Sequence, residues 1–509
     1  MKVTALAAVL AAVLPGAAAA AAEATSASNN KQAEQEPSPT NGAVPESVSS
    51  TDHRRAGRDL YAAMQEHRRL NNGKGNGRGP PITLPKPSQE RLTSLKEKQA
   101  KSTIDDPYAL GLVEAYTIDA GATDEVCVVA EGSDGVRIHI QAPIGTEAYV
   151  ICDLNEEATK LDFGDAGETW SPTCSGEEIC LQVMSESGEG DVQITEHTYV
   201  PAEGESIRRR LGDGRRLESL DCPLSDYRSC LVNADCYQEA ASLVDAVAGY
   251  TFISGGYVSS CSGGLIYSST AINSLFLTAA HCIADGNVAK TADFYGGGAV
   301  SCGDSCTSGF TNKPTLWRVT GSTLKYRNTG VDRAILELAN SNVKQYALNW
   351  TRDVVPVGET LRVVAHPKGG PQAFSTHVTK NKKCGLPMSH YIHADGSHGG
   401  QAPGSSGGIV VNSKSQIVGQ LYGTCDRKPN YCAVDIAFGR LSESFHTTME
   451  ALLGPPPSPP TATPAPTPAT TPATPAPNGC VATCGPDPGI CCGGSVCSQK
   501  GNSGWKCRG

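Results

Sequence analysis

Three short stretches carry side chains that could act on one another. Residues 401–411, QAPGSSGGIVV, set Ser405 and Ser406 among glycines ahead of an apolar run. A serine hydroxyl is a weak nucleophile; it needs a base within hydrogen-bond reach, and the base needs an orienting group. In LFLTAAHCIADG an apolar strand runs into His281 and Cys282, and in NTGVDRAILEL Asp332 stands just before another apolar strand. Each has a plainer reading: a Gly/Ser cluster between periodic segments is usually a loop, a histidine on an apolar strand usually a core residue, and an aspartate there usually a turn residue. The spacing favours chemistry. His281, Asp332 and Ser406 follow in that order, 51 and 74 residues apart. Cys261 precedes Cys282 by 21 residues, and a bridge between them would pin the end of the strand that carries His281.

The chain around these residues has 509 positions, enough for two or three domains. Residues 1–22 show Lys2, an apolar core and small residues, the layout of a secretory signal peptide, and no later apolar run is long enough to span a bilayer. Twenty cysteines in an exported chain read as disulfides and not as metal ligands. They fall in even groups: four from Cys127 to Cys180, ten from Cys222 to Cys432 and six from Cys480 to Cys507. The net charge is −10, and residues 111–200 hold 19 acids against Arg137 and Lys160, which speaks against nucleic acid as a partner.

The pattern along the chain divides it further. Residues 23–107 are polar and aperiodic, the composition of a disordered pro-region, with a short helix expected near RDLYAAMQEHRRL. Residues 108–205 alternate short β-branched runs with Gly, Asp and Pro, which predicts an acidic all-β domain of sandwich type. An Arg-rich link follows at 206–221, readable as a solvated linker or as a processing site. Residues 222–453 again predict many short strands, closing on a helix through Leu441, Phe445, Met449 and Leu452 that Gly454 stops. A Pro/Thr-rich linker at 454–479 leads to a six-cysteine miniprotein module at 480–507, too small to fold without its bridges.

Within 222–440 the motifs together resemble a known family. FLTAAHC, VDRAILEL and PGSSGGIVV, in this order, resemble the chymotrypsin/trypsin family of serine peptidases. SSCSGGLIY before FLTAAHC, then VVAHPKGG, APGSSGG, and IVGQLYG leading to FGRL, are closer to the bacterial lysyl endopeptidase branch. The resemblance implies a mainly β fold of two six-stranded antiparallel β-barrels, His281 and Asp332 on the first and Ser406 on the second. In its Gly-x-Ser-Gly-Gly motif the middle serine attacks, which selects Ser406 over Ser405. His281 would then be the general base, Asp332 its orienting group, and the N–H groups of Gly404 and Ser406 the oxyanion hole. The strand VGQLYG would pair with the substrate backbone, with Tyr422 and Gly423 at the mouth of the specificity pocket. The partners implied are protein and peptide substrates, with no cofactor, metal or membrane.

The departures from the family matter equally. Trypsin-like enzymes carry Asp before the nucleophile, to pair with a new N-terminus after zymogen cleavage; here it is Ser405. Activation is therefore expected to work by removing the pro-region, with cleavage in the Arg-rich link. At the pocket, Gly400 stands where trypsin has its Asp, and Ile436 where lysyl endopeptidases have an acid, with Asp435 one residue out of register. One residue along a strand turns a side chain to the other face, and a bulge could restore it. Cleavage after Lys or Arg is expected if Asp435 serves, and after an acidic residue if His393 and His398 do. The contrasting class is an inactive peptidase-like binding protein. The acidic domain reads as an intramolecular chaperone or inhibitor, and the C-terminal module as a binder of carbohydrate or another surface.

Overall fold

The computed structural model describes residues 80–120, 125–152, 157–184, 192–202, 231–297, 315–339, 343–381, 385–425, 435–443, 447–456, 496–499 and 505–508. The expected signal peptide, the helix expected near residues 58–70 and the Arg-rich link lie outside them, as does nearly all of the Pro/Thr-rich linker. Of the six-cysteine module only two paired strands are described, Val496–Gln499 and Trp505–Arg508.

The expectation that 23–107 is disordered does not hold for its C-terminal end. Ser88 accepts a hydrogen bond from the Arg91 N–H and starts helix α1, Gln89–Lys101, with Glu90 in its first turn and Lys98 and Lys101 in its last. Charges so placed complement the helix dipole. Leu95 is buried, and Leu92 and Leu95 pack on Ala109 and Leu112 of strand β1, Tyr108–Asp119. The apolar signal is only two residues wide. Long-range docking on β1, rather than local pattern, makes this segment fold.

The acidic region is the sandwich its alternation predicts. Strands β2 (Glu125–Val129), β4 (Glu147–Cys152) and β5 (Glu178–Met184) form one sheet, with β5 in the middle. Strand β6 (Gln193–Pro201) lies between β1 and β3 (Ile138–Gln141) in the other. Val128, Val150, Ile179 and Leu181 meet Ile138, Ile140 and Ile194 in a shared core. Cys127–Cys180 and Cys152–Cys174 are bridged.

Two barrels follow. In the first, β7 (Val247–Ser254) pairs with β8 (Tyr257–Ile266) and β10 (Asp293–Gly296), and β8 pairs with β9 (Leu275–Ala279). Strands β11 (Trp317–Thr320) and β12 (Ser322–Asn328) bend at Gly321 and join β10 to β13 (Arg333–Leu338), which returns to β9. Aromatic rings fill it: Tyr250, Phe252, Phe276 and Phe294 pack with ring centroids 4.9–5.7 Å apart.

The second barrel is a ring of antiparallel pairs. Strand β14 (Thr360–Ala365) pairs with β15 (Ala373–Thr379) and β17 (Ile409–Val411). Strand β18 (Ile417–Thr424) follows β17, then β19 (Asp435–Arg440), then β16 (Tyr391–His398), which closes on β15. Trp350, fully buried, packs with residues of both barrels. The closing helix α2 is Thr447–Leu453, shorter than its apolar pattern suggested, and ends at Gly454 with φ +73°. Among the described residues no helix is long and apolar enough to cross a membrane.

The acidic domain joins the first barrel by its main chain. Strand β1 pairs with the half of β8 that β9 leaves free, Tyr257 to Ser260, so one sheet runs through both domains. Beside it lies a buried charged seam. Arg137 donates to Ser171 O and Thr291 O, both at 2.8 Å. Asp293 holds Arg318 at 2.8 Å and accepts from the Thr173 N–H at 2.9 Å. Burial alone would raise the Asp293 pKa, but Arg318 and Arg137 hold it well below the carboxylate range. Its stabilising contribution is thus full above the ordinary Asp pKa and lost only as pH falls toward the depressed value. Asp293→Asn should destabilise the precursor by about 3 kcal/mol, because the buried Arg137 guanidinium loses its counter-charge and the partly exposed Arg318 its ion pair. Urea unfolding of the full chain at pH 7 measures this, and an unchanged midpoint would refute it.

Candidate active site

Barrel one positions His281 just past the end of β9. The Cys261–Cys282 bridge ties the following residue to β8. A loop of this length closed by a disulfide is worth roughly 3 kcal/mol. Asp332, in the left-handed region at φ 51°, leads into β13. One of its carboxylate oxygens accepts from the His281 N–H at 2.8 Å and the other meets His281 Nδ1 at 2.7 Å. The Asp332 carbonyl in turn accepts from Ala280 N–H and from the Gln420 side-chain amide of barrel two. The ring is therefore fixed with Nδ1 on the carboxylate, leaving Nε2 on the other side of the ring.

Ser262 of barrel one holds the nucleophile loop of barrel two. Its N–H donates to Ser406 O at 2.9 Å, and its hydroxyl donates to Gly404 O at 2.8 Å while accepting from the His366 N–H. Gly404 (φ +90°) and Gly407 (φ +83°) turn the loop. A Cβ at Gly407 would lie 2.3 Å from Thr278 Oγ1 and 2.4 Å from Ser262 O, so only glycine lets the barrels approach here. Ser406 comes against the His281–Cys282 turn, its carbonyl 3.9 Å from Cys282 Sγ. Ser405 is buried with its hydroxyl accepting from Ala402 N–H. Among the described residues no acceptor meets the N–H of Gly404 or of Ser406, leaving both available to an oxyanion.

The cleft is filled by the chain itself. After α1, residues 102–106 cross the site before β1 begins. Ser406 Oγ donates to Ile104 O at 2.7 Å, and His281 Nε2 is buried with no hydrogen-bond partner among the described residues. Asp105 lies on β18: its carboxylate accepts from Thr424 N–H at 2.7 Å, and a Cβ on Gly423 would strike it. Tyr422 presents its ring edge-on to His281 at 6.2 Å and to Tyr391 at 5.2 Å. Lys368 reaches over the Tyr108 ring at 5.8 Å. Sequence reasoning brought together His281, Asp332, Ser406 and Gly404. It missed Ser262, whose only signal is a small polar residue between Cys261 and two glycines, and the segment 102–106, which has none.

The pocket positions separate. Ile392 and Ala394 of β16 and Ile436 and Phe438 of β19 share an apolar cluster with Leu421 and Ile104. Asp435 and His393 alternate with these residues and face the other way, Asp435 in register with Asp395. Gly400 is buried and carries no side chain to the pocket. His398 is exposed, its ring 4.9 Å from Tyr237.

Burial lowers the His281 pKa, but Asp332 opposes it by charge and hydrogen bond, with Asp105 and Asp106 adding to it, and the net position is above the usual histidine value. A raised histidine pKa stabilises the folded chain fully below the ordinary value, and that contribution is lost as pH rises through the raised one. In a full-length Ser406→Ala precursor, imidazole NMR should show His281 titrating above 6.5. Adding Asp105→Asn and Asp106→Asn should lower that midpoint; no change would show that these carboxylates do not act on the imidazole.

Residues 224–433 match the family model described as lysyl endopeptidase, C-terminal domain. No curated protein matches. Among solved structures, a Mycobacterium tuberculosis protease in its active form aligns at 16% identity and TM-score 0.31, over 44% of this chain and 87% of that one. A serine endoprotease from Yersinia pestis aligns at 17% and TM-score 0.28, over 39% of this chain and 58% of that one. A thermostable serine protease from an extremophilic microorganism aligns at 14% and TM-score 0.29, over 39% and 92%. The family match falls on the two antiparallel barrels, from before β7 to beyond β18.

Proposed function

We propose that the chain is an exported serine endopeptidase made as a latent precursor, with Ser406, His281 and Asp332 as its triad. One observation carries the reading: Asp332 fixes both the backbone and the ring of His281 beside a serine whose hydroxyl already bonds a peptide carbonyl. Once residues 102–106 leave, Ser406 Oγ attacks the carbonyl carbon of a substrate and its proton passes to His281 Nε2. The oxyanion is held by the N–H groups of Gly404 and Ser406, each donor worth roughly 3–4 kcal/mol. His281 returns the proton to the leaving amine, and water then releases the acyl group by the same route reversed. Asp332 keeps the proton on Nδ1 and stabilises the imidazolium. Expressed from the whole chain, the protein should appear in the medium and hydrolyse peptides. Ser406→Ala should lose at least about 10⁴-fold in kcat, and Asp332→Asn about 10⁴-fold. Retention in the cell would refute export, and wild-type rates in Ser406→Ala would refute the triad.

Latency rests on contacts that all precede the Arg-rich link. The cleft segment, β1 on β8 and the Arg137 seam are N-terminal to residue 206, so cutting the link leaves them in place. A precursor cut only at 206–221 should keep its acidic domain through gel filtration and react with a fluorophosphonate no faster than the uncut chain. Labelling should rise only after a further cut before β1 or loss of the acidic domain. Full reactivity on link cleavage alone would overturn this sequence of steps.

A further inference from the structure

The chain's own occupant of the cleft reports what the specificity pocket accepts. This deepens the endopeptidase reading and rests on it. Ile104 is 4% exposed, its carbonyl on the Ser406 hydroxyl and its side chain in the apolar cluster with Ile392, Leu421, Ile436 and Phe438. At the two positions where the family resemblance expects a carboxylate for a basic side chain stand Gly400 and Ile436. Asp435, the nearest acid along β19, is turned to the opposite face. Seating an ammonium or guanidinium there would strip its water and return no counter-charge from the described residues, a cost of several kcal/mol.

The wall behind Phe438 is polar but neutral. His377 packs edge-on against Phe438 at 5.6 Å and bonds Ser375 through Nε2, and the Gln401 amide donates to that same hydroxyl. Burial pushes the His377 pKa down to about 3, so it stays uncharged at neutral pH and gives an acidic substrate side chain nothing to pair with. His393 and His398 do not share the face of Ile392 and Ala394.

We propose that this enzyme cleaves after a medium-sized aliphatic residue, Val, Ile or Leu, and that Ile436 on β19 is the side chain that sets this choice against lysine. Asp105 strengthens the parallel between occupant and substrate, since it lies on Gly423 and Thr424 of the strand expected to pair with substrate backbone.

Two measurements on protein made from the full chain test the proposal. In the precursor, Ile104→Lys should speed fluorophosphonate labelling of Ser406 at least tenfold, while Ile104→Val should leave it within about twofold. Equal or slower labelling of Ile104→Lys would show that the pocket welcomes a cation and would overturn the proposal. In the activated enzyme, profiling on a peptide library should find Val, Ile or Leu before the cut bond, at least about a hundredfold over Lys, Arg or Glu. Enrichment of Lys, Arg or Glu refutes the pocket assignment alone. Failure of Ser406 to label at all refutes the endopeptidase reading beneath it. Ile436→Asp should shift the preference toward Lys; Ile436→Ala, a milder change, should shift it toward larger apolar residues. Unchanged profiles in both would remove Ile436 from the role.

Discussion

The geometry of the cleft depends on one small side chain. Ser262 sits on a strand of the first barrel, yet its N–H and hydroxyl hold two carbonyls of the loop that carries Ser406. That grip ties the loop of Ser406 to the barrel that carries His281 and Asp332. Its own carbonyl is fixed by Thr278, which bonds Tyr250 in the aromatic core. Arg333 grips from the other side: it follows Asp332 directly, is fully buried, and donates to Arg440 O and Glu443 O at the end of the second barrel. Buried donors and acceptors paired in this way are costly to separate. The relative position of the barrels is thus held by hydrogen bonds within a few residues of the reacting atoms.

The resting state of this cleft is an occupied one. A serine hydroxyl that donates to Ile104 O is turned from the imidazole, and the imidazole sits in the field of three carboxylates, Asp332, Asp105 and Asp106. All three favour the charged imidazole, Asp332 most strongly through its charge and its hydrogen bond, with Asp105 and Asp106 adding to it. Asp332 also fixes the ring, whereas the two aspartates of the cleft segment add charge alone and would take it away with them if the segment left.

Much of the catalytic domain was legible because its motifs are local: His281 with Cys282, Asp332 ahead of an apolar strand and Ser406 among glycines each sit in a few residues. The acidic sandwich was legible from its alternation. What escaped was long-range. Helix α1 carries two useful apolar residues in a charged segment, and Ile104 is one apolar residue among polar ones; neither has a periodicity to read. The facing of Asp435 could not be fixed from sequence, because an undetected bulge would reverse it. The pairing of β16 with β19 runs without one across Asp435 to Gly439, which turns Ile436 to the apolar cluster with Ile104 and Asp435 away from it.

The junction between β1 and β8 has a further consequence. Tyr257 to Ser260 have no other partner on that side, so departure of the acidic domain uncovers a short sheet edge next to the Cys261–Cys282 bridge. Unpaired main-chain groups at an edge recruit whatever extended polypeptide comes near. An extended segment of another chain could then take the place of β1 on that row of backbone hydrogen bonds, a few residues from Ser262 and the loop it holds.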